Sequence, residues 1–327
     1  MTGIALLGAG FMARTHAAVY SALADRAQVR VVCAKSGAGE IASEFGAVAT
    51  DDWEAAITTP GVDAVDICLP TPLHRPAAER ALAAGRHVLL EKPIALSLED
   101  ADAIGAAADA SGRVLMVGHV LRFFGEIAAL RNVLASGELG EPVAATALRL
   151  SALPDWNEWM LDPEQSGGTL VDLMIHDFDI CNALLGQPQR VHAVATAGGR
   201  HVRAIVEHEG GDATVEGSHA MPPSFPFTAG LRVLCERGLL DHRFEAGAGD
   251  EVADDAAASA LSIHVAGAVE TFHEAGDGWG GEIRHFLDCV ETGAEPTDGS
   301  FAQARAALAI GMAAKRSIAS GEPERVQ

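Results

Sequence analysis

The fold is decided by Thr2-Gly3-Ile4-Ala5-Leu6-Leu7-Gly8-Ala9-Gly10-Phe11-Met12-Ala13. Thr2–Leu7 is a short apolar run typical of a buried strand, and a helical pattern follows the glycines through Leu23. In this strand–turn–helix context Gly8 allows a tight turn, Gly10 lets the backbone approach a ligand, and Ala13 permits close packing of helix on strand. The spacing therefore predicts a dinucleotide-binding turn, with the pyrophosphate at the helix N-terminus beside Phe11 and Met12.

Alternating strands and helices continue from this turn to residue 120. Strands are predicted over Thr2–Leu7, Val29–Ala34, Ala47–Thr50, Val62–Leu69, His87–Leu90 and Val114–Val117. Helices between successive strands make βαβ units, which predict a doubly wound α/β domain whose parallel sheet is covered on both faces. A chain of 327 residues is long enough for two domains, and we divide it into residues 1–120 and 121–327.

Two loops at the expected carboxyl ends of these strands carry further candidate residues. Ligands of parallel α/β sheets bind at that edge. The first loop contains Leu69, Pro70, Thr71 and His74. The second is Glu91-Lys92-Pro93, where a cis Lys92–Pro93 bond is allowed. We expect both loops to contribute to the cofactor site.

The end of the second strand indicates which dinucleotide is expected. Proteins that bind NAD usually place an acid there, about 20 residues past the glycines, to hold the ribose 2′-hydroxyl. Here the sequence is Val31-Val32-Cys33-Ala34-Lys35-Ser36-Gly37, without a carboxylate. Lys35 supplies a cation and Ser36 a hydroxyl donor, which suit a 2′-phosphate. The pattern favours NADP(H), with NAD(H) as the alternative if Lys35 is only a solvated loop lysine.

A second stretch with chemical potential is Gly167-Gly168-Thr169-Leu170-Val171-Asp172-Leu173-Met174-Ile175-His176-Asp177-Phe178-Asp179. Interpreted as one helix that begins near the glycines, it places Asp172 and His176 on one face, with Asp179 continuing the stripe. A carboxylate beside an imidazole can fix the ring tautomer and shift its pKa, as acid–base chemistry on a hydroxyl or carbonyl requires. The alternative is an exposed polar stripe whose histidine only packs or caps.

Taken in order, these motifs resemble the glucose–fructose oxidoreductase / inositol dehydrogenase / rhizopine catabolism (Gfo/Idh/MocA) family. The resemblance rests on Gly8–Ala13 with His16, on Pro70-Thr71-Pro72 with His74, on Glu91-Lys92-Pro93 and on residues 167–179. It implies a Rossmann domain followed by an α/β domain with a large, mostly antiparallel open sheet, and a sugar, cyclitol or related polyol as substrate. It also implies that Lys92, Asp172 and His176 are the catalytic residues. The family's acid at the end of the second strand is missing here, which puts NAD in doubt rather than the fold.

The second domain offers further candidates for substrate binding. Trp156 and Trp159 stand among polar residues, which suits either a sugar face or a domain interface. His119 and Arg122 are additional candidates for the substrate pocket, beside the proposed catalytic pair. Strand-like runs recur between residues 190 and 244, and in Ala213–His219 small or apolar residues alternate with polar ones. A sheet with such an open face predicts a homo-oligomer, a dimer or tetramer.

Composition argues against several classes of partner. Acidic residues outnumber basic ones 45 to 23, and the net charge of −22 argues against nucleic acid or an anionic membrane. No apolar run reaches the ~20 residues of a membrane span. The 5 cysteines are widely spaced and lack a C-x-x-C pattern, which indicates reduced thiols. Because the chain begins almost at once with a strand, we expect no signal peptide and a cytoplasmic protein.

Two other functions fit parts of the sequence. Asp172, His176 and Asp179 could ligate zinc, but the chain has no H-x-x-x-H or H-x-H pair, so we expect no metal site. A non-catalytic dinucleotide sensor or scaffold would keep the fold without the chemistry. The joint presence of Lys92, Asp172 and His176 favours an enzyme, an NAD(P)-dependent dehydrogenase or reductase that acts on CH–OH groups.

Overall fold

The computed structural model describes residues 1–153, 158–246, 258–273 and 276–327. The strands and α-helices of the first 120 residues follow one another as β1 (Thr2–Leu7), α1 (Phe11–Ala22), β2 (Ala27–Cys33), α2 (Ala38–Phe45), β3 (Val48–Thr50), α3 (Trp53–Thr58), β4 (Ala64–Ile67), α4 (His74–Ala83), β5 (His87–Glu91), α5 (Leu98–Ser111) and β6 (Leu115–Gly118). Every predicted strand of this region is present, with ends that shift by at most two residues.

These strands form one parallel sheet in the order β3-β2-β1-β4-β5-β6. The order reverses at β1, so the turns after β1 and β4 flank the point at which doubly wound sheets bind their ligands. The central strands are apolar because helices cover both faces, and Ile4, Leu6 and Val31 are fully buried. The predicted doubly wound parallel sheet is confirmed.

Beyond residue 120 the alternation is lost, as the sequence predicted. The elements are α6 (Gly125–Ala135), β7 (Pro142–Leu150), α7 (Glu158–Leu161), α8 (Pro163–Ser166), α9 (Ile175–Leu185), β8 (Pro188–Thr196), β9 (His201–His208), β10 (Gly211–Ser218), β11 (Thr228–Cys235), β12 (Gly238–Glu245), β13 (Ala258–Val265), β14 (Ala268–Phe272), α10 (Gly278–Thr292), α11 (Phe301–Ser320) and β15 (Glu324–Arg325). The strands β13, β14 and β15 were not predicted.

The chain divides into two compact units, and the division differs from the predicted one. The first unit comprises Met1–Val120 and Gly278–Arg305, and the second Leu121–Asp277 and Ala306–Gln327. Helix α10 therefore belongs to the first unit, where it packs on α1. Its apolar face requires cover, and Phe286 is fully buried there. At the surface Arg26 binds Asp288 and Glu291 of α10 at 2.7 and 2.9 Å.

The second unit is built on a nine-stranded sheet in the order β14-β13-β12-β11-β7-β10-β9-β8-β15. Its neighbouring strands are antiparallel except β7 and β10, so the large, mostly antiparallel sheet that the resemblance implied is confirmed. Helix α9 packs against β7 and β10. In β10 Ala213 and Val215 are buried while Thr214 between them is exposed, which leaves one face of the sheet open.

Within the described ranges no helix has the length and apolar character needed to cross a membrane. All five cysteines lie in those ranges, and none of them forms a disulfide. Burial raises the pKa of the Cys33 thiol to about 11, which keeps it in the unreactive thiol form at neutral pH.

Candidate functional site

The turn after β1 fits a bound diphosphate. Gly8 has a φ of +123°, and an added Cβ would overlap the carbonyl oxygen of Cys68, so glycine is required. Gly10 is the N-cap residue of α1, no side chain caps this helix, and a Cβ added at Gly10 would meet no atom within 4 Å. Phe11 and Met12 form the first turn of this helix. Open space at an uncapped helix N-terminus is where an anion is favoured, so these residues fit the dinucleotide predicted for them.

The end of β2 carries more positive charge than the sequence indicated. Lys35 and Ser36 follow β2 and are exposed. Arg14 of α1 lies beside the next residue, because a Cβ added at Gly37 would lie 3.5 Å from Arg14 Nη2. The same nitrogen binds Oε2 of Glu40 at 2.7 Å, in an exposed ion pair. The sequence analysis missed Arg14 because only the pairing of β1 with β2 brings α1 to this loop.

His74 joins the loops that follow β4 and β5. Its Nδ1 lies 2.8 Å from the carbonyl oxygen of Pro93, and its Nε2 lies 2.9 Å from that of Leu69. Burial lowers the pKa of His74, although both carbonyl contacts and the Glu91 carboxylate act in the opposite direction. The ring thus has a structural task, and its contact with the cofactor stays a prediction. The same holds for the half-buried Pro70 and the buried Thr71 of this loop.

Lys92 follows β5 at the ligand-binding edge of the parallel sheet. Its backbone N–H donates to Oε2 of Glu91 at 3.0 Å, and the Lys92–Pro93 bond is cis, as the sequence allowed. Glu91 is buried and Lys92 half-buried. The structure therefore brings the glycine turn, the Lys35 loop, the His74 loop and Lys92 to the carboxyl ends of the neighbouring strands β2, β1, β4 and β5.

Asp172 and His176 do not share the single helix that the sequence predicted. Thr169–Leu173 forms a π-helical turn, Met174 follows it, and α9 begins at Ile175. Both polar side chains are half-buried, whereas Leu173, Met174 and Ile175 between them are buried. The pair is thus partly accessible and stands on two helical segments joined at Met174.

Two glycines hold this junction in place. A Cβ added at Gly217 of β10 would overlap Met174 Cγ and lie 2.7 Å from its Sδ. A Cβ added at Gly311 of α11 would lie 3.3 Å from Cγ2 of Val171. The π-helical turn packs this closely against β10 and α11 because both offer glycine. Such turns are frequent at functional sites, but this one depends on distant packing and leaves no local signal in the sequence.

Asp179 does not continue the polar stripe, and that part of the prediction is wrong. Its carboxylate accepts from Nε and Nη2 of Arg122 at 2.6 and 2.8 Å, with both side chains almost fully buried. A second buried pair joins Asp177 to Arg149 at 2.9 and 3.1 Å. Bidentate pairs of this kind fix α9 to the segments that carry the arginines. Substrate binding by Arg122 stays a prediction.

The remaining candidates lie in different parts of the chain. His119 follows β6 and is buried, and Trp159 is half-buried in α7. Trp156 lies outside the described residues. Contact of these three residues with a substrate stays a prediction.

Comparison with known proteins covers both parts of the chain. Residues 2–119 match the family model described as "Oxidoreductase family, NAD-binding Rossmann fold", and residues 127–241 match the "GFO/IDH/MocA C-terminal domain". A curated relative, D-xylose 1-dehydrogenase (NADP(+)) 2 of Haloferax volcanii, is 31% identical over 84% of this chain and 82% of its own length. Several other curated relatives are matched over about half their length, such as the 1,5-anhydro-D-fructose reductase of Ensifer adhaerens, which is 37% identical over 45% of each chain.

Solved structures show the same fold over the whole chain. The UDP-N-acetylglucosamine 3-dehydrogenase of Acidithiobacillus ferrooxidans superposes with a TM-score of 0.80 at 26% identity, over 98% of both chains. A levoglucosan dehydrogenase in complex with NADH and L-sorbose gives a TM-score of 0.85 over 100% of this chain and 99% of that one, and at 22% identity this likeness concerns the fold alone. The chain belongs to the Gfo/Idh/MocA oxidoreductase family.

Proposed function

We propose that this protein is an NADP(H)-dependent oxidoreductase acting on a secondary hydroxyl or ketone of a sugar, cyclitol or related polyol. The observation that carries the proposal is the ligand-binding edge of the first unit. There an uncapped glycine turn fits a diphosphate, and Lys92 follows β5 on the same edge. The names of relatives agree with this substrate class, since they include dehydrogenases of xylose and of inositol.

The proposed roles follow from the chemistry of three side chains. When bound, the nicotinamide supplies the hydride donor or acceptor. In the oxidation direction a ring nitrogen of His176 accepts the proton of the substrate hydroxyl, and Asp172 holds the imidazole in the required tautomer. Lys92 donates a hydrogen bond to the reacting oxygen and stabilises the negative charge that develops on it. Joint action of the three residues on one substrate is supported by family membership.

The preference for NADP(H) is supported by the charges beside β2. Lys35 and Arg14 supply two cations and Ser36 a hydroxyl donor, which together suit the oxygens of a 2′-phosphate. Arg14 binds Glu40 in an exposed pair. Exchanging that carboxylate for a phosphate costs little, because exposed ion pairs are worth only ~0.2–1 kcal/mol.

We further propose a homo-oligomer joined through the open face of the nine-stranded sheet. Val194, Ile205 and Leu234 lie on β8, β9 and β11 and are 47%, 52% and 49% exposed. The strand registers place all three on the face that also carries Thr214. Apolar side chains of this size on one open face favour burial against a second copy, most simply with two-fold symmetry.

The activity is tested by NADPH oxidation across a panel of ketosugars and keto-cyclitols. Lys92→Met and His176→Ala should each lower kcat by about 10²–10⁴-fold and leave NADPH binding, followed by fluorescence, unchanged. The matched control is Lys315→Met, which removes an exposed lysine of α11 and should keep wild-type turnover. Near-wild-type rates in both site variants would refute the assignment. NADPH binding without turnover of any substrate would indicate a sensor, and loss of activity on chelation a metal enzyme.

A further inference from the structure

Behind the Glu91–Lys92 loop the first unit buries a group of polar side chains that the proposed function does not use. This His16 cluster consists of His16 and Tyr20 of α1, Asp66 of β4, Cys68, Glu91 of β5 and Glu282 of α10. His16, Asp66 and Glu282 have no exposed surface. Its members come from separate elements along the chain, so the cluster exists only in the folded unit.

The contacts form a continuous path from Tyr20 to the backbone of Lys92. The Tyr20 hydroxyl donates to Oδ2 of Asp66 at 2.9 Å, and that oxygen lies 2.9 Å from Nδ1 of His16. On the other side of the ring, Nε2 lies 3.3 Å from Oε1 of Glu91, an ion-pair contact rather than an aligned hydrogen bond. Oε2 of Glu91 accepts the Lys92 N–H at 3.0 Å. Since both ring nitrogens face carboxylates, the doubly protonated, cationic imidazole is favoured.

Glu282 brings a second proton into the cluster. Its Oε1 lies 3.9 Å from His16 Nε2, and neither of its carboxylate oxygens has a hydrogen-bond partner in the described part of the chain. A Cβ added at Gly118 would lie 3.4 Å from Glu282 Oε1 and 3.5 Å from Glu91 Oε1, so both carboxylates border the same small space. An ionised carboxylate is strongly disfavoured when it is buried, accepts no hydrogen bond and lies beside another acid, and the His16 imidazolium 3.9 Å away opposes this effect only in part. Glu282 therefore holds a proton in the folded protein.

The electrostatics of the cluster agree with this distribution of protons. Burial by itself lowers the pKa of His16, but the contacts with Asp66 and Cys68 together more than reverse the effect, so the pKa lies well above 6.5. Burial raises the pKa of Glu282 well above 4.5, and the charge of Glu91 raises it further. Burial also raises the pKa values of the Tyr20 hydroxyl and the Cys68 thiol, which keeps both groups neutral. His16 and Glu282 thus keep their protons to a higher pH than in the unfolded chain, and they lose them as the pH rises further.

We propose that Glu282 and His16 are positioning residues, each of which holds one proton and so fixes the Glu91 carboxylate against the backbone of Lys92. The inference rests on the role of Lys92 in the proposed function. Ionised Glu282 would repel Glu91, and the displaced carboxylate would release the Lys92 N–H. Lys92 would then lose its position, and kcat would fall as the pH rises above the pKa of Glu282.

The first test compares the pH dependence of kcat in the wild type and in Glu282→Gln, which keeps the shape of the protonated acid but cannot ionise. In the wild type kcat should fall about tenfold one pH unit above the apparent pKa of the cluster. In Glu282→Gln kcat should stay within about twofold of the wild type on the acid side, and the alkaline fall should disappear. Glu291→Gln on the same helix removes a half-exposed charge and should keep the wild-type profile. An alkaline fall unchanged in Glu282→Gln would overturn the inference.

The second test follows the position of Lys92 without turnover. The chain has three lysines, Lys35, Lys92 and Lys315, so acetylation resolved by mass spectrometry reports Lys92 against two internal references. The relative labelling of Lys92 should be equal in the wild type and Glu282→Gln on the acid side. It should differ on the alkaline side, where only the wild type ionises residue 282. Equal labelling of the two proteins at both values of pH would contradict the proposal.

Further measurements separate the remaining outcomes. If Glu282→Gln does not fold, carbon-13 spectra of wild-type protein labelled at glutamate should show one carboxyl group that stays protonated above the pH at which the other glutamates ionise, and its absence would overturn the inference. A stoichiometric divalent cation bound by His16, Glu91 and Glu282 would also overturn the inference, because it would replace the two protons.

The variant Lys92→Met distinguishes this inference from the proposed function on which it rests. If Lys92→Met turns over at the wild-type rate, the proposed catalytic role of Lys92 is refuted. If Lys92→Met is inactive but the alkaline fall in kcat persists in Glu282→Gln, only the positioning role of Glu282 and His16 is refuted.

Discussion

Substitution of Gly217 by alanine tests how the second unit holds the segment that carries Asp172 and His176. The new Cβ would overlap Met174 Cγ, lie 2.7 Å from its Sδ and 3.3 Å from Cγ2 of Thr169. Met174 is fully buried, so its side chain cannot turn into solvent, and the junction between the π-helical turn and α9 must shift. Overpacking by one methyl group should lower the free energy of unfolding by about 1–3 kcal/mol. For a unit of this size Tm should fall by about 2–4 °C per kcal/mol.

The same shift should also lower turnover. A displacement of about 1 Å in a reacting group costs on the order of 10²-fold in rate, and we expect kcat of Gly217→Ala to fall by about 10- to 100-fold. The dissociation constant for NADPH, measured by fluorescence, should not change, because the glycine turn and the Lys35 loop belong to the other unit. Gly39→Ala is the matched control, since its Cβ would meet no atom within 4 Å. Within helix α2 it should be neutral or stabilising by up to ~1 kcal/mol.

A double-mutant cycle with Met174→Ala isolates the contact between the two residues. Met174→Ala alone should cost about 2–5 kcal/mol through the cavity that it leaves. In the double variant the new methyl group occupies part of that space, so the combined loss in urea unfolding should be smaller than the sum by about 1 kcal/mol or more. Additive losses within about 0.5 kcal/mol would refute the reasoning. Wild-type Tm and kcat in Gly217→Ala would refute it as well.

Four further predictions concern the cofactor, the ion pairs, the buried protons and the open sheet. Lys35→Asp should lower kcat/KM for NADPH and raise it for NADH, because an acid repels a 2′-phosphate and accepts from a ribose hydroxyl. Asp179→Ala should lower the free energy of unfolding in urea by about 3–5 kcal/mol, since the buried Arg122 loses this carboxylate. The wild-type Tm should fall as the pH rises from about 6.5 to 9, less steeply in Glu282→Gln, because the folded protein keeps protons that the unfolded chain releases. Ile205→Glu should lower the mass in light scattering, because a charge on the open face opposes burial in an interface.

Each of these four predictions has a contrary outcome or a control. Equal or better kcat/KM of the wild type with NADH would remove the proposed cofactor preference. Glu207→Gln breaks an exposed pair with Arg190, in which the two charged groups lie 4.0 Å apart, and should change the free energy of unfolding by at most ~1 kcal/mol. If Glu207→Gln lowered the free energy of unfolding as much as Asp179→Ala, burial of the ion pair would not be the cause of the loss in Asp179→Ala. A wild-type Tm that rises between about pH 6.5 and 9 would contradict the proposal that His16 and Glu282 hold protons in the folded protein. A monomeric wild type at micromolar concentration would exclude the proposed oligomer.

The strands of the first unit could be predicted because their signals are local. Each is an apolar run bounded by glycine, proline or polar residues, and burial on both faces removes the need for alternation. The strand β13 (Ala258–Val265) was missed because it follows residues 246–257, a glycine-rich, acidic stretch of a composition typical of exposed loops. Residues 247–257 of that stretch lie outside the described residues. Pairing with β12, which only the folded sheet provides, makes β13 a strand.

The candidate site likewise contains residues that local motifs predict and residues that only distant contacts bring into place. Motifs at strand ends lead directly to the glycine turn and to Lys92, because a parallel sheet aligns the carboxyl ends of its strands. Arg14, Glu282 and the π-helical turn could not be predicted, because each depends on residues that are distant in sequence. Asp179 shows the limit most clearly. Its spacing fits a polar stripe, but an arginine 57 residues earlier takes it into a buried ion pair.

The buried acids of the two units should respond differently to pH. In the second unit burial raises the pKa of Asp177, but the Arg149 guanidinium opposes that rise and forms a bidentate pair with the carboxylate. In the first unit Glu91 and Glu282 share one imidazole, so they cannot both ionise without loss. The pKa values of His16 and Glu282 are raised, so their contribution to stability is lost as the pH rises through those values. Between about pH 6.5 and 9, rising pH should therefore speed amide hydrogen exchange in the strands of the first unit by more than its intrinsic increase. The strands of the second unit should show only the intrinsic increase. If hydrogen exchange accelerated equally in both units, the protons released would not come from His16 and Glu282.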